Sequence, residues 1–248
     1  MTDDLFLPGL PEARLRAALE ASPGSELRRG KFASPDSSAA LVVNAFGWFL
    51  DRPTDLPPLA AGLGATRSVA IEAEMRLPWA GGTHPWLDVA VETDRWLIGI
   101  ESKRYEPFRP AKQAEFSTAY DRPVWGEAMQ GHDRLRRTHA GGARRFAALD
   151  MVQLVKHGYG LRTEALRRGK RALLLYLHAE PARFSNGRAI DPDRFAAHRA
   201  DIDLYAESVA GDEVTFASLT WRDLLESWTT RPTLADHATR LAARFAPL

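Results

Sequence analysis

The hydrophobic pattern of this 248-residue chain changes period several times, and each change marks an element. Pro11–Ala21 has helical spacing at Leu15, Ala18 and Leu19 and stops at Ser22-Pro-Gly. Ala39–Leu50 is apolar nearly all round, which predicts a buried helix, and Ser34-Pro-Asp-Ser-Ser ahead of it supplies a cap. Val69–Leu77 alternates: Val69, Ile71, Ala73, Met75 and Leu77 face one way, Glu72, Glu74 and Arg76 the other. After the loop Pro78–Pro85, strands at Trp86–Glu92 and Trp96–Lys103 complete an antiparallel meander. Glu106–His139 is punctuated by proline and predicts short helices and loops around Phe116–Tyr120 and Val124–Leu135. Ala143–Gly158 reads as a long helix with Phe146, Met151, Leu154 and Val155 inward. Arg171–His178 is an unbroken apolar run, the mark of a central strand covered on both faces. Asp191-Pro-Asp opens another helix, Glu213–Leu219 is a strand, and Thr220-Trp-Arg-Asp223 is a capping box for a short helix through Trp228. Pro232–Phe245 forms a terminal amphipathic helix. The fold class that follows is α/β, one domain over residues 1–248 with an N-terminal helical layer.

Composition narrows the chemistry. The chain has no cysteine, which removes disulfides, thiol catalysis and cysteine-ligated metals together. The start, Met-Thr-Asp-Asp-Leu-Phe-Leu-Pro, does not read as a secretory signal, and the longest apolar runs are too short to cross a bilayer, so a soluble cytoplasmic protein is expected. The net charge of +1 announces no polyanion partner. Positive charge is nearly all arginine, with lysine only at 31, 103, 112, 156 and 170. Basic residues cluster at Arg134, Arg136, Arg137, Arg144 and Arg145, and again at Arg162, Arg167, Arg168, Lys170 and Arg171. Each cluster alone reads as a solvated helix face, and phosphate binding gains weight only if both flank an acidic centre.

Such a centre is visible in the second hairpin. Strand side chains alternate, so Glu101 and Lys103 share a face, with Gly99 making room beside them. On the partner strand Asp88 shares a face with Ala90 and Glu92, while Leu87, Val89 and Val91 turn to apolar packing. Ser102 points away from the centre, although its backbone carbonyl can turn toward a metal. Two carboxylates and an amine held close together suit a hard divalent cation, Mg²⁺ or Mn²⁺, and phosphodiester hydrolysis. Lys103 would orient or deprotonate the water, or stabilise developing charge.

Asp88, twelve intervening residues and Glu101-Ser-Lys103 resemble the motif of the PD-(D/E)XK nuclease superfamily, with Leu87 in place of the motif's proline. The order helix, meander, helix, apolar strand over Ser37–Ala179 resembles that superfamily's core as well. The resemblance implies a restriction-endonuclease-like core, with a mixed sheet of about five strands flanked by helices. It also implies a nuclease using Mg²⁺ or Mn²⁺ on nucleic acid, DNA before RNA, in restriction, defence or repair, with a homodimer as one working form. Asp88 and Glu101 would hold the metal and Lys103 would serve catalysis. A further acid often joins such sites: the helix Ala39–Leu50 offers only Asn44, and of Glu72 and Glu74 the latter is preferred, near the strand end. Gln153 and His157, four apart on one helix face, resemble the polar element that often follows the triplet. Lys156, His157, Arg104, Arg134 and Arg137 are the expected nucleic-acid contacts.

Other signals read as ordinary structure. His132 and His139 fit a surface segment rather than a metal pair, and at least two of Trp79, Trp86 and Trp96 fit packing rather than base stacking. Ser68, Ser102 and Ser185 lack an acid–base partner at a recognisable spacing, and Gly81-Gly82 is a turn rather than a nucleotide loop. Two rivals stay open: a nuclease-like module that no longer cuts and serves as a binding or scaffold subunit, and a carboxylate pair acting on sugars. Lys103 fits the latter poorly, because it would depress the pKa a general acid needs raised.

Overall fold

The structure, a computed structural model, describes residues 5–24, 26–110, 114–143 and 145–248. Five strands, β1 (Thr66–Glu74), β2 (Trp86–Thr93), β3 (Trp96–Lys103), β4 (Arg171–His178) and β5 (Val214–Thr220), form one sheet in chain order. β1, β2 and β3 are antiparallel; β4 lies parallel to β3, and β5 parallel to β4. The sheet is therefore mixed, and the ends of β3 and β4 lie side by side.

Helices cover both faces. On one side lie α1 (Glu12–Ala21), α2 (Ser38–Phe46), α6 (Trp221–Thr229) and α7 (Ala235–Phe245), burying Val89, Val91, Ile98, Ile100, Leu173, Leu175 and Leu177. On the other lie α3 (Gln130–Ala140), α4 (Met151–Arg167) and α5 (Pro192–Ser208), burying Leu97, Ala172, Leu174 and Tyr176. Alternate residues of β4 enter opposite cores, which is why its sequence is apolar without a break. Local caps fall where the sequence places them: Ser37 caps α2, and the Thr220 hydroxyl accepts the Asp223 amide at 3.1 Å to open α6.

Three expectations shift. The helix expected at 143–158 begins at Met151 and runs on to Arg167. Asp150 caps it, and the Asp201 carboxylate on α5 accepts the amides of Ala147, Ala148 and Leu149 at 2.7–3.1 Å, holding that segment out of the helix. The buried helix expected at Ala39–Leu50 tightens after Phe46 into a 3₁₀ turn at Gly47–Phe49. The even alternation expected over Val69–Leu77 breaks at Glu72. Val69 and Ile71 join the α2-side core, whereas Met75 and Leu77 join the α4-side core. Glu72 has φ +52°, a left-handed backbone that reverses the faces beyond it. A matching reversal separates Leu87, in the α4-side core, from Val89 and Val91.

Candidate active site at the open end of the hairpin

The two reversals sit beside the acids. Pairings Ile71↔Val89 and Ala73↔Leu87 place Glu72 opposite Asp88. The β2–β3 ladder runs from Glu92↔Leu97 to Val89↔Ile100 and stops, so Asp88 and Glu101 face each other where the strands part. The Asp88 carboxylate bridges the gap by accepting the Ser102 amide at 2.6 Å. Three acids thus form a row across β1, β2 and β3.

Their environments set their charges. Glu101 is 2 % exposed; Lys103 contacts its Oε1, and His157 Nδ1 of α4 lies 3.2 Å from its Oε2. Burial opposes ionisation of Glu101, but the Lys103 and His157 charges outweigh it and hold its pKa well below the usual range. Asp88 goes the other way: burial and then the Glu101 charge push its pKa well up, only partly offset by Lys103. Burial also raises Glu72 to about 7, helped by the Glu101 and Glu26 charges and opposed by a hydrogen bond with Ser22. Burial alone would lower Lys103; Glu101 and Asp88 reverse that and raise it. One ammonium faces more carboxylates than it can neutralise.

Beside Lys103 opens a cleft of about 480 Å³, walled by Glu106, Pro107 and Arg109 on one side and Phe146–Gln153 on the other, with Tyr176 between. Among the described residues no three His, Cys, Asp or Glu side chains cluster as a metal cage.

A family model described as Restriction Endonuclease associating with ARP matches residues 3–246. The chain belongs to this family. No curated protein and no solved structure matches the chain. Membership and the mixed five-stranded sheet agree with the restriction-endonuclease-like superfamily that the Asp88/Glu101-Ser-Lys103 pattern resembles.

In this restriction-endonuclease family member, the other residues singled out from sequence fall into three groups. Gln153 opens onto the cleft that holds Lys103. His157 does not reach solvent: it is 3 % exposed and lies under the hairpin against Glu101, so its expected nucleic-acid contact gives way to a contact with an acid of the site. Ser102 turns its hydroxyl to Trp221 Nε1, 3.2 Å away in the α2-side core, leaving only its backbone at the site.

A second group is committed elsewhere. Glu74 pairs with exposed Arg76 at 3.0 Å, so Glu72, not Glu74, is the β1 acid whose charge reaches Asp88 and Glu101. The face reversal at Glu72 is the cause. Arg104 is 1 % exposed and donates to the carbonyls of Pro35 and Phe245, so it clamps the chain before α2 to the end of α7 instead of facing nucleic acid. Lys156 donates to the Glu115 carbonyl at 2.7 Å and lies over the Phe116 and Tyr120 rings. Asn44 is fully buried, bonded to Leu5, Leu7 and Ala40.

The third group is the basic clusters, which do not flank the acids together. Arg168 and Lys170 pair with Glu92, at the other end of β2 from Asp88. On α3, Arg134 is exposed, Arg137 pairs with Asp133, and Arg136 pairs with Asp121 and Asp133. Arg144 lies outside the described residues. His132, expected on a surface segment, is buried and bonded to Asp212 at 2.6 Å. Trp79 packs on Tyr120 and Trp125, and Trp96 lies under Arg171. Tyr176 has no signal of its own within the apolar run of β4; it enters the cleft because β4 runs parallel to β3, pairing it with Glu101.

Proposed function

We propose that the protein is a metal-dependent nuclease of the PD-(D/E)XK type that hydrolyses phosphodiester bonds, DNA before RNA. The observation that carries this reading is the crowding of carboxylate at the hairpin mouth: Glu72, Asp88 and Glu101 lie in a row in a poorly solvated site, with Lys103 and His157 against Glu101, and burial followed by mutual repulsion raises Asp88 and Glu72. A divalent cation relieves that repulsion. The donors Asp88 and Glu101 are hard oxygens, which suit Mg²⁺, an ion that keeps several waters and takes one or two carboxylates. Asp88 and Glu101 would hold it, with the Ser102 carbonyl as a further oxygen. When bound, the ion neutralises phosphoryl charge and lowers the pKa of water. Lys103, held charged by its two carboxylates, donates to the phosphoryl oxygens instead of removing a proton. His157 fixes the Glu101 carboxylate from below, and Gln153 lines the approach from the cleft.

Incubation with circular and linear DNA under Mg²⁺, Mn²⁺ or chelator tests the reading. Cleavage should need the metal, and Lys103→Ala should abolish it with DNA binding retained. A Lys103→Ala protein that cuts as well as wild type refutes the assignment. One observation favours the rival, a binding or scaffold subunit that does not cut: Lys103, His157 and the Ser102 amide already contact the two acids. Calorimetric Mg²⁺ titration separates the two, since the rival requires no heat that depends on Asp88. The family description names association with ARP, and we read such a partner protein as part of the working form, beside the nucleic acid and an optional second copy.

A further inference from the structure

β3 and β4 are parallel and Lys103 pairs with His178, so the chain leaving β4 emerges next to Lys103. It turns at once into a small hairpin. Arg183 bridges Ala189, the Phe184 amide donates to the Arg188 carbonyl at 2.8 Å, and Gly187, with φ +84°, closes the turn. Phe184 anchors this hairpin, its ring 5.6 Å from that of Tyr105, two residues beyond Lys103. The Arg188 guanidinium lies over the Phe184 ring, 4.6 Å from its centroid. Arg183 donates to the Gly187 carbonyl at 3.1 Å. Both arginines are exposed, and among the described residues their contacts are a ring and a carbonyl, with no carboxylate. The acid at the hairpin's base, Glu180, is paired with Arg199. On α3, by contrast, Asp121 and Asp133 neutralise much of the basic cluster.

We propose that the hairpin 182–190 is the nucleic-acid-docking element of the site, with Arg183 and Arg188 binding backbone phosphates beside the scissile one. This rests on the nuclease reading and deepens it. A guanidinium stacked on a ring keeps its in-plane donors free and loses little freedom on binding a phosphate. Position and uncompensated charge coincide here: Phe184 and Ile190 of the hairpin pack with Tyr105 and Phe108, the residues that flank the cleft-lining Glu106 and Pro107.

The test is the affinity of the full chain for a labelled DNA duplex in chelator across a salt series. Arg183→Ala/Arg188→Ala should weaken binding about tenfold at moderate salt and reduce the slope of log affinity against log salt by about two. Arg67→Ala/Arg168→Ala, which removes the same charge at the far ends of β1 and β2, where Asp94 and Glu92 already pair with these arginines, should change affinity less than about twofold. Thermal melting and Mg²⁺ calorimetry on the hairpin variant should match wild type, which keeps fold and metal site out of the comparison. Wild-type affinity and slope in the hairpin variant, or equal losses in the two double variants, overturn the docking proposal while leaving the nuclease reading intact. A wild-type chain that binds neither DNA nor RNA overturns both.

Discussion

Glu72 shows what a single residue contributes. Its left-handed backbone costs roughly 1 kcal/mol or more, and the strain sits beside Asp88, where a third carboxylate raises local charge further. Its pKa of about 7 lies above the ordinary carboxylate value, so the folded chain keeps a proton there that the unfolded chain has released. The stability penalty is absent below about pH 4.5, grows as pH rises, and is complete above about 7. Glu72→Gln, which mimics the protonated form, should stabilise the metal-free protein by up to about 3 kcal/mol at pH 8 and leave it unchanged at pH 4. Denaturant melts at the two pH values measure this, and equal effects at both would remove the charge argument. Alternation by itself selects Glu74 as readily as Glu72, because a period of two carries no sign of a residue that reverses faces.

At the scale of elements, the packing of α4 against the meander decides what the site can be. Glycine inside a helix ordinarily costs roughly 1 kcal/mol relative to alanine. Gly160 is different: a Cβ there would stand 2.7 Å from Met75 Cβ and Pro85 Cγ and 2.8 Å from the Met75 carbonyl. Backbone cannot yield as a side-chain tip can, so Gly160→Ala should destabilise by about 1–3 kcal/mol despite its better helix propensity. A urea midpoint at or above wild type would refute the close approach. This contact sets α4 so that His157 meets Glu101 and Gln153 lines the cleft. The strand β4 was legible to the residue, since a strand buried on two faces writes its length in apolar side chains, and β3 was legible from its apolar run ending in the acid-x-lysine triplet. The start of α4 was not, because Asp201, some fifty residues away, holds the preceding amides.

For the molecule as a whole, two cores on either side of one sheet leave several buried titratable groups that the chemistry does not use. Tyr176 OH and His198 Nε2 lie 2.9 Å apart, and His178 packs edge-on to His198. Burial, with the neighbouring His178 charge, lowers His198 to about 3. The unfolded chain takes up a proton near pH 6.5 that the folded chain refuses, so this stability is present above about 6.5 and is lost as pH falls toward 3. His198→Asn should flatten the fall in melting temperature between pH 7 and 5; a slope equal to wild type would place the acid sensitivity elsewhere. No helix among the described residues is long and apolar enough to cross a membrane.

The sequence alone determined strands β2 to β5, the caps of α2 and α6 and the nearness of Asp88, Glu101 and Lys103, because periodicity, capping and short spacing act within a few residues of one another. Tertiary structure decided which distant groups join them. The parallel placement of β4 brought Tyr176 and the arginine hairpin to the open end of the sheet. The reversal at Glu72 exchanged one acid for another, and ion pairs formed across the fold with Asp121 and Glu92 took Arg136, Arg168 and Lys170 out of contention. A charge is free or neutralised according to what folds against it, and for Arg136, Arg168 and Lys170 that includes a residue far away in the chain.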